Sequence, residues 1–225
     1  MKVGVLFSGG KDSVYALYKA MEKHKPVCLI TMFSKNPESY MFHTANIDLT
    51  LLQSKAIGLP LVIGRTKGEK EKELVDLRRV IKQAIETYKI QGIFTGAIES
   101  VYQSERVQKI CDELDLKCFN PIWKRDQINL LTELVKKKFK VIISGIFAYP
   151  LSEKLLGKTI DSKVILSLNK LYHTKYEISP AGEGGEIETT VLNAPFFKKE
   201  IKITESEIKS KENEGLFIIK KAELK

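Results

Sequence analysis

The chain opens with a continuous apolar run, Val3–Phe7, followed by a polar, glycine-containing turn. Apolar residues then recur at helical spacing, at Val14, Leu17, Tyr18 and Met21. A short apolar run bounded by a turn is typical of a buried strand, and the second spacing predicts one apolar stripe on a helix. The first twenty residues therefore predict a strand, a tight turn and a helix.

The same alternation continues through the first two-thirds of the chain. Further strand-like runs are Pro26–Phe33, Leu61–Ile63, Gly92–Thr95 and Lys140–Phe147. Amphipathic stretches lie between and after them, at about 44–57, 69–89, 100–114 and 125–138. This order predicts a parallel sheet with helices on both faces, an α/β fold of the Rossmann-like type, in which ligands bind at the carboxyl ends of the strands.

The pattern changes after about residue 172. Thr189–Leu192, Glu200–Ile203 and Leu216–Ile219 resemble strands, and Ala194-Pro195 and Glu214-Gly215 separate them. This part predicts a small strand-rich element instead of another strand–helix unit. Whether it forms a separate domain or a lid on the first one stays open at this point.

Ser8–Ser13 supplies the candidate chemistry at the first strand–helix junction. Free backbone N–H groups point outward at a helix N-terminus and bind phosphate. Gly9 and Gly10 allow the backbone to approach an anion closely, and Lys11 adds a positive charge. Asp12 is placed to cap the helix or to hold Mg²⁺ on the phosphates. We expect a nucleotide phosphate site here.

A second polar group follows the strand that ends near Gly96, at the same edge of the predicted sheet. Tyr102, Gln103 and Arg106 lie at the start of the next helix, where Arg106 can contact an anion or remain a surface residue. His43 follows the second strand, and taken alone it favours a structural or solvated role.

Gly182–Thr189 is rich in glycine and carries Glu183 and Glu186 beside a Gly-Gly pair. It is either a polar turn between strands or a loop whose carboxylates bind a cation, orient ammonia or take a proton. Gly157–Thr159 has the appearance of the end of a Walker A loop, but Ser152 stands where that motif needs a glycine. We do not expect phosphate there.

Length, composition and charge limit the classes of protein to which this chain can belong. The 225 residues suffice for one good core, or for one core and a small appendage. No apolar stretch approaches the roughly 18 residues of a membrane span, and three widely spaced cysteines favour reduced thiols in the cytoplasm. The net charge of +9 fits an acidic partner or the Lys/Glu-rich surface of a heat-adapted protein, so charge alone does not argue for nucleic acid.

The hexapeptide Ser8–Ser13 resembles the PP-loop of the N-type ATP pyrophosphatases, which split ATP between its α and β phosphates. With Met41–Asn46, Gly96–Arg106, Asn120–Trp123 and Gly182–Thr189, the chain resembles one branch of that class, the diphthine–ammonia ligase family, in a compact archaeal-type form. The phosphate loop alone indicates only the superfamily. Its combination with the Glu-Gly-Gly-Glu tract indicates the branch.

The resemblance implies an adenine nucleotide alpha hydrolase type of fold, with a PP-loop ATP pyrophosphatase domain at residues 1–124. Residues 125–225 would form a substrate-binding domain that carries the Gly/Glu-rich loop. The implied reaction amidates the diphthine carboxylate of translation elongation factor 2 with ATP and free ammonia, through an acyl-adenylate, and releases AMP and pyrophosphate. ATP and Mg²⁺ are the implied cofactors. The implied reaction requires no membrane or nucleic acid. Whether the chain forms a homodimer stays open from the sequence.

The resemblance also implies the roles of individual residues. ATP is expected at Ser8, Gly9, Gly10, Lys11, Asp12 and Ser13, with its adenosine near Met32, Phe33, Gly96 and Ala97. The substrate is expected near His43, Asn46, Glu99, Tyr102, Gln103, Arg106, Gly184 and Gly185, with the face of Tyr102 as one candidate for the trimethylammonium group. Lys11, Glu183 and Glu186 are the predicted catalytic residues, and Asp12 is the predicted Mg²⁺ ligand.

Two other functions remain open from the sequence. One is a tRNA-modifying PP-loop enzyme, although the cysteine pair common in its sulfur-transferring members is absent from this sequence. The other is a protein that senses ATP without hydrolysing it, against which the presence of Lys11 and Asp12 argues. The reaction products separate the three functions.

Overall fold

The computed structural model describes residues 1–36 and 46–225. The chain divides into two compact units, residues 1–123 and 124–225. His43 and most of the Met41–Asn46 motif lie outside the described residues, so only Asn46 of that motif has a described position.

The first unit alternates strands and helices. Its elements are β1 (Lys2–Leu6), α1 (Lys11–Lys23), β2 (Lys25–Ser34), a 3₁₀ turn (Ile47–Leu49), α2 (Thr50–Ile57), β3 (Leu61–Thr66), α3 (Glu73–Tyr88), β4 (Gly92–Phe94), α4 (Val101–Glu113) and β5 (Lys117–Phe119). The strands form one parallel sheet in the order β3-β2-β1-β4-β5. The predicted α/β fold with a parallel sheet is confirmed.

The strand order places the loop Ser8–Ser13 at a particular point of this sheet. β1 lies at its centre, where Val5 pairs with Leu29 of β2 on one side and with Phe94 of β4 on the other. The chain winds outward in both directions from β1, which makes the crevice beyond β1 and β4 the topological switch point. Ligands bind at such crevices, so the loop after β1 and the residues after β4 lie where a nucleotide site is expected.

One face of the parallel sheet is closed by an apolar core. Ile30 and Met32 of β2, Val80 and Ile81 of α3, and Ile93 of β4 are all buried in it. The central strands carry apolar residues on both faces, as strands covered by helices on both sides do. This packing fixes the strand ends that carry the site.

The second unit has a different sheet. Its elements are α5 (Gln127–Lys136), β6 (Lys140–Phe147), a 3₁₀ turn (Glu153–Leu155), α6 (Ser162–Tyr172), β7 (Ile187–Asn193), β8 (Ile201–Lys211) and β9 (Glu214–Leu224). The strands form an antiparallel sheet in the order β7-β6-β9-β8. The strand-rich C-terminal element is thereby confirmed.

The prediction that Lys140–Phe147 continues the parallel sheet is wrong. This segment, β6, is an interior strand of the antiparallel sheet, paired with β7 and β9. Its residues from Val141 to Ile146 are all buried. A strand buried on both faces has a continuous apolar run whichever way its neighbours point, so the run does not reveal the direction of pairing.

Within residues 1–36 and 46–225, no helix combines the length and the apolar character needed to cross a membrane.

Candidate functional site

The loop between β1 and α1 is held in shape by its own side chains. Gly9 has a φ of +79°, and Gly10 precedes the helix in an extended conformation without any side-chain cap. The Ser13 hydroxyl receives hydrogen bonds from the Ser8 N–H and the Ser8 hydroxyl, both at 3.2 Å, and donates to the Gly10 carbonyl at 3.1 Å. These bonds stabilise the turn from the inside, and the N-cap residue Gly10 has no side chain with which to cap α1, which suits an anion.

Lys11 and Asp12 put opposite charges at the start of α1. The Lys11 side chain is only 3% exposed, and its Nζ lies 2.8 Å from Asp12 Oδ2. The second carboxylate oxygen, Asp12 Oδ1, is buried and has no hydrogen-bond partner among the described residues. A buried carboxylate oxygen without a partner is costly, so this position favours a cation or a donor from a bound ligand.

Two residues press against the loop from neighbouring elements. Gly96, just beyond β4, packs so closely that a Cβ there would lie 2.7 Å from both the Asp12 carbonyl carbon and the Ser13 nitrogen. Gln53 of α2 is fully buried, and its Nε2 donates to the Gly9 carbonyl at 2.9 Å. The structure thus brings the loop, the end of β4 and α2 together.

The residues expected around adenosine differ in burial: Met32 and Ala97 are buried, and Phe33 is half-buried. The Met32 side chain lies in the core between β2, β3 and α3, so only its backbone remains for a nucleotide. Phe33 is half-buried at the end of β2. Ala97 is buried, and its N–H donates to the Thr95 hydroxyl at 3.2 Å, which shapes the turn after β4.

The Thr95 hydroxyl in turn donates to the Asn120 carboxamide, which donates to the Ser104 hydroxyl at 3.1 Å. This network joins the end of β4, the residue after β5 and the first turns of α4. Gln103 donates its N–H to the Ser100 hydroxyl at 3.3 Å, so Ser100 caps α4, while Glu99 is exposed. Asn46 is half-buried, has a φ of +55° and begins the 3₁₀ turn before α2.

Arg106 and Tyr102 of α4 form a stacked pair. The guanidinium carbon lies 3.5 Å from the Tyr102 ring centroid. Both side chains bind Glu71, from the segment before α3: the Tyr102 hydroxyl donates at 3.1 Å, and Arg106 Nε and Nη2 donate at 2.9 and 2.5 Å. The hydrogen bond from Arg106 lowers the pKa of the Glu71 carboxyl.

This arrangement bears on both predictions for α4. Arg106 does bind an anion, but that anion is a carboxylate of the protein itself. One face of Tyr102 is covered by Arg106 and is not open to a trimethylammonium group. A substrate anion at this position has to displace or adjoin Glu71.

The Gly/Glu-rich loop lies before β7 in the second unit. Ser179 donates its N–H to Glu186 Oε1 at 3.2 Å, and Glu186 Oε2 is buried without a partner among the described residues. Gly184 lies so close to that carboxylate that a Cβ would meet it at 2.7 Å. Glu183 is half-buried, and Gly185, with a φ of +85°, is exposed with open space beside it. The loop therefore folds around the Glu186 carboxylate.

The Gly157–Thr159 segment is engaged in other contacts. The Gly157 N–H donates to the Ile143 carbonyl at 2.8 Å, and Ile143 donates to the Lys158 carbonyl at 3.0 Å. The segment lies against β6 as a bridge partner of Ile142. The Gly157 N–H is therefore bonded to the sheet, whereas in a phosphate-binding loop it would be available to the ligand.

Asp12 is the residue of this loop that could bind a divalent cation. No cluster of three or more His, Cys, Asp or Glu side chains able to hold a metal occurs among the described residues. Mg²⁺ uses few protein ligands, commonly one or two carboxylates, and completes its shell with water and substrate phosphates. A single carboxylate beside a phosphate loop, with one unpartnered oxygen, fits that requirement.

Gln53, Glu71 and Gln127 were not predicted as parts of the site. Each binds a predicted site residue or its loop by a long-range side-chain contact. A glutamine or glutamate on or near a helix has no local signature for such a contact.

Comparison with known families gives two matches. Residues 1–118 match the model of the diphthamide synthase N-terminal domain, and residues 126–224 match that of the diphthamide synthase C-terminal domain. Together the two matches account for nearly the whole chain.

Several curated proteins are similar over most of this chain. The human diphthine–ammonia ligase is 34% identical over 233 residues, which cover 92% of this chain and 85% of the human protein. The zebrafish (Danio rerio) ligase is 33% identical and is covered to 88%. The chain spans only 37% of the length of the Schizosaccharomyces pombe diphthine–ammonia ligase, to which it is 34% identical.

Solved structures show weaker similarity. A predicted subunit of tRNA methyltransferase from Methanocaldococcus jannaschii is 19% identical, with a TM-score of 0.44 over 87% of this chain and 98% of that one. A 4-thiouridine synthetase in complex with RNA and ATP is 16% identical, with a TM-score of 0.42 over 85% and 55%.

Proposed function

This chain belongs to the diphthamide synthase family, and we propose that it catalyses the ATP-dependent amidation of diphthine. The protein substrate is translation elongation factor 2 in its diphthine form, and free ammonia supplies the nitrogen. The products are diphthamide, AMP and pyrophosphate. The observation that carries this proposal is the glycine-containing loop Ser8–Ser13, with Gly10 as N-cap of α1, at the switch point of the parallel sheet, joined to a family match over both units.

The reaction needs activation because a carboxylate is a poor electrophile. In the first half-reaction the diphthine carboxylate attacks the α-phosphorus of ATP, the bond to the bridging oxygen breaks, and pyrophosphate leaves with its electron pair. The acyl-adenylate that forms has AMP as a good leaving group. The protein's contribution is to place the phosphates in line with the carboxylate and to neutralise the charge that develops on pyrophosphate.

The loop between β1 and α1 supplies that neutralisation in our proposal. The backbone N–H groups at the start of α1 point toward a bound anion, and buried Lys11 adds a full charge beside them. Asp12 would hold Mg²⁺, which neutralises phosphate charge when it is bound. Gln53 and Gly96 keep the loop in the conformation that these contacts require.

Glu183 and Glu186 are assigned to the second half-reaction. Ammonium must lose a proton before its nitrogen attacks the acyl carbon, and a carboxylate held without a partner suits both its binding and its deprotonation. Glu186 Oε2 meets that description among the described residues. The new C–N bond forms as the bond from the acyl carbon to AMP breaks.

The test is a reconstituted reaction with ATP, ammonium and diphthine-bearing elongation factor 2. We expect AMP release that depends on this substrate, with a mass change of the factor that matches conversion of a carboxylate to an amide. Lys11→Met abolishes AMP release, while Lys82→Met, an exposed lysine on α3, leaves it unchanged. AMP release stimulated by tRNA without elongation factor 2 contradicts the proposal, and so does ATP binding without any turnover.

A further inference from the structure

Gln127, the first residue of α5, holds the Gly/Glu-rich loop by one atom. Its Oε1 accepts a hydrogen bond from the Ser179 hydroxyl at 2.7 Å and another from the Ala181 N–H at 2.9 Å. Both donors lie more than fifty positions further along the chain. Gln127 therefore anchors the start of the loop to a helix of the same unit.

Ser179 passes this anchoring on to the backbone of Glu183 and to the carboxylate of Glu186. Its hydroxyl oxygen accepts the Glu183 N–H at 3.1 Å, and its own N–H donates to Glu186 Oε1 at 3.2 Å. Ser179 is 9% exposed, and the loss of a hydrogen bond by such a shielded group is costly. One acceptor atom on α5 is thus linked through one serine to both glutamates.

The link matters because it adds to the loop's own backbone hydrogen bonds, from the Gly182 N–H to the Ser179 carbonyl at 2.9 Å and from the Gly185 N–H to the Gly182 carbonyl at 3.0 Å. Gly182, Gly184 and Gly185 leave its backbone free to adopt many conformations. Gly184 and Gly185 are exposed and contribute no apolar packing. Glycine-rich backbone reaches a single conformation only when hydrogen bonds at its ends select that conformation.

We propose that Gln127 is a positioning residue for the amide-forming half-reaction: through Ser179 it sets the orientation of the Glu183–Glu186 loop. This inference rests on the proposed function for the role of the two carboxylates. Gln127 itself does not touch ammonia or the acyl group. Its effect belongs to the ammonia step and not to the ATP step.

The experiment compares Gln127→Met, which removes the acceptor with little change of size, with Gln127→Glu, which keeps an oxygen acceptor. Gln108→Met, an exposed glutamine on α4 far from this loop in the sequence, is the matched control. Two rates are measured for each variant: pyrophosphate exchange into ATP in the presence of diphthine-bearing substrate, and amide formation as a function of ammonium concentration.

For Gln127→Met we expect kcat/KM for ammonium to fall about 10- to 100-fold, because loss of both bonds misplaces the loop. Pyrophosphate exchange remains within about twofold of the unchanged protein, since the change lies outside the ATP loop. Gln127→Glu retains more of the ammonium-dependent rate than Gln127→Met. An equal fall in both half-reactions, or none in either, overturns the inference.

Hydrogen exchange of the Ala181 and Glu183 amides provides a readout that needs no turnover. Gln127→Met and Ser179→Ala are expected to raise exchange at these amides, and the double variant to raise it no further than the larger single effect. Unchanged exchange in Gln127→Met overturns the anchoring itself. If the unchanged protein forms no amide while the exchange changes as expected, the proposed function fails and the anchoring role of Gln127 stands.

Discussion

The guanidinium carbon of Arg106 lies over the ring of Tyr102, 3.5 Å from its centroid, and both side chains bind the carboxylate of Glu71. The planar group thereby stacks on a ring and donates two hydrogen bonds at once. A lysine cannot do both, because its ammonium is a point charge without a planar face.

Replacing Arg106 therefore tests whether this pair binds the substrate. For Arg106→Ala and for Arg106→Lys, we expect KM for the protein substrate to rise about tenfold. ATP affinity, measured by calorimetry, remains unchanged. Arg79→Ala serves as control, because Arg79 is an exposed arginine that pairs with Asp76 three residues away on the same helix. Full activity of Arg106→Lys argues against a role for the stacked, forked geometry.

The pH dependence of this contact follows from the lowered pKa of Glu71. A carboxyl whose folded pKa lies below its unfolded value contributes stability above the unfolded value, and loses it as the pH falls through the folded pKa. The contact is therefore complete at neutral pH. We expect the ratio of KM between Arg106→Ala and the unchanged protein to stay constant from about pH 6 to pH 9. Because a glutamate carboxyl is ionised throughout this range, a ratio that changes between about pH 6 and pH 9 points to a titrating group other than Glu71.

The close approach of Gly96 to the phosphate loop predicts a selective defect. A methyl group at Gly96 meets the backbone of Asp12 and Ser13, which cannot move without moving the loop. Gly96→Ala is expected to weaken ATP binding about tenfold or more. Gly92→Ala, at the other end of β4, also meets backbone, at the Lys117 carbonyl, but lies away from the loop. It lowers the thermal midpoint without weakening ATP binding, and equal ATP affinities of the two variants contradict the prediction.

Gly9 is a second position where the loop allows no side chain. Its φ of +79° disfavours other residues, and a Cβ would lie 2.2 Å from Gln53 Oε1. Gly9→Ala is expected to lose about 1–2 kcal/mol of stability from the left-handed conformation alone and to lose ATP affinity as well. Gly58, after α2, has a φ of +81°. Gly58→Ala is therefore expected to lose stability but to keep its ATP affinity. Chemical denaturation and ATP titration of both variants separate the two effects.

The cysteines are predicted to react in a fixed order. Burial raises the pKa of the Cys28 thiol to about 12, whereas a hydrogen bond from Cys111 lowers the pKa of half-buried Cys118. Because the thiolate is the reactive form, iodoacetamide should alkylate Cys118 first and Cys28 only after unfolding. Peptide mass spectrometry over a time course measures this order. Simultaneous labelling of Cys28 and Cys118 in the folded protein contradicts it.

The sequence predicted those parts of the fold in which local pattern and tertiary role agree. β1, the loop Ser8–Ser13 and α1 are contiguous, and their strand, turn and helix signals are strong. The hairpin β8–β9 is longer than its predicted strands because exposed lysines and glutamates occupy much of it, and these residues give weak strand signals. The short edge strand β5 and the helix α6 were missed.

The contacts that shape the site were the least predictable part. Gln53 and Gln127 act through single side-chain bonds to backbone or hydroxyl groups that lie about forty-four and fifty-two positions away. Such bonds depend on the assembled tertiary structure, and the neighbouring residues in the sequence give no signal for them. The Glu71 contact to Arg106 spans thirty-five positions and is hidden for the same reason.

Because β1 lies between β2 and β4, a nucleotide can bind at the proposed site only when the central strands are folded. Asp12 and Gly96 lie far apart in the first unit's sequence and meet only when the central strands have paired. A ligand that needs both sides of this crevice binds the native sheet and not the unfolded chain, so its binding free energy adds to the stability of residues 1–123. In the proposed function, bound ATP would link the two halves of the sheet, and a cell's nucleotide concentration would be one of the factors that keep this unit folded.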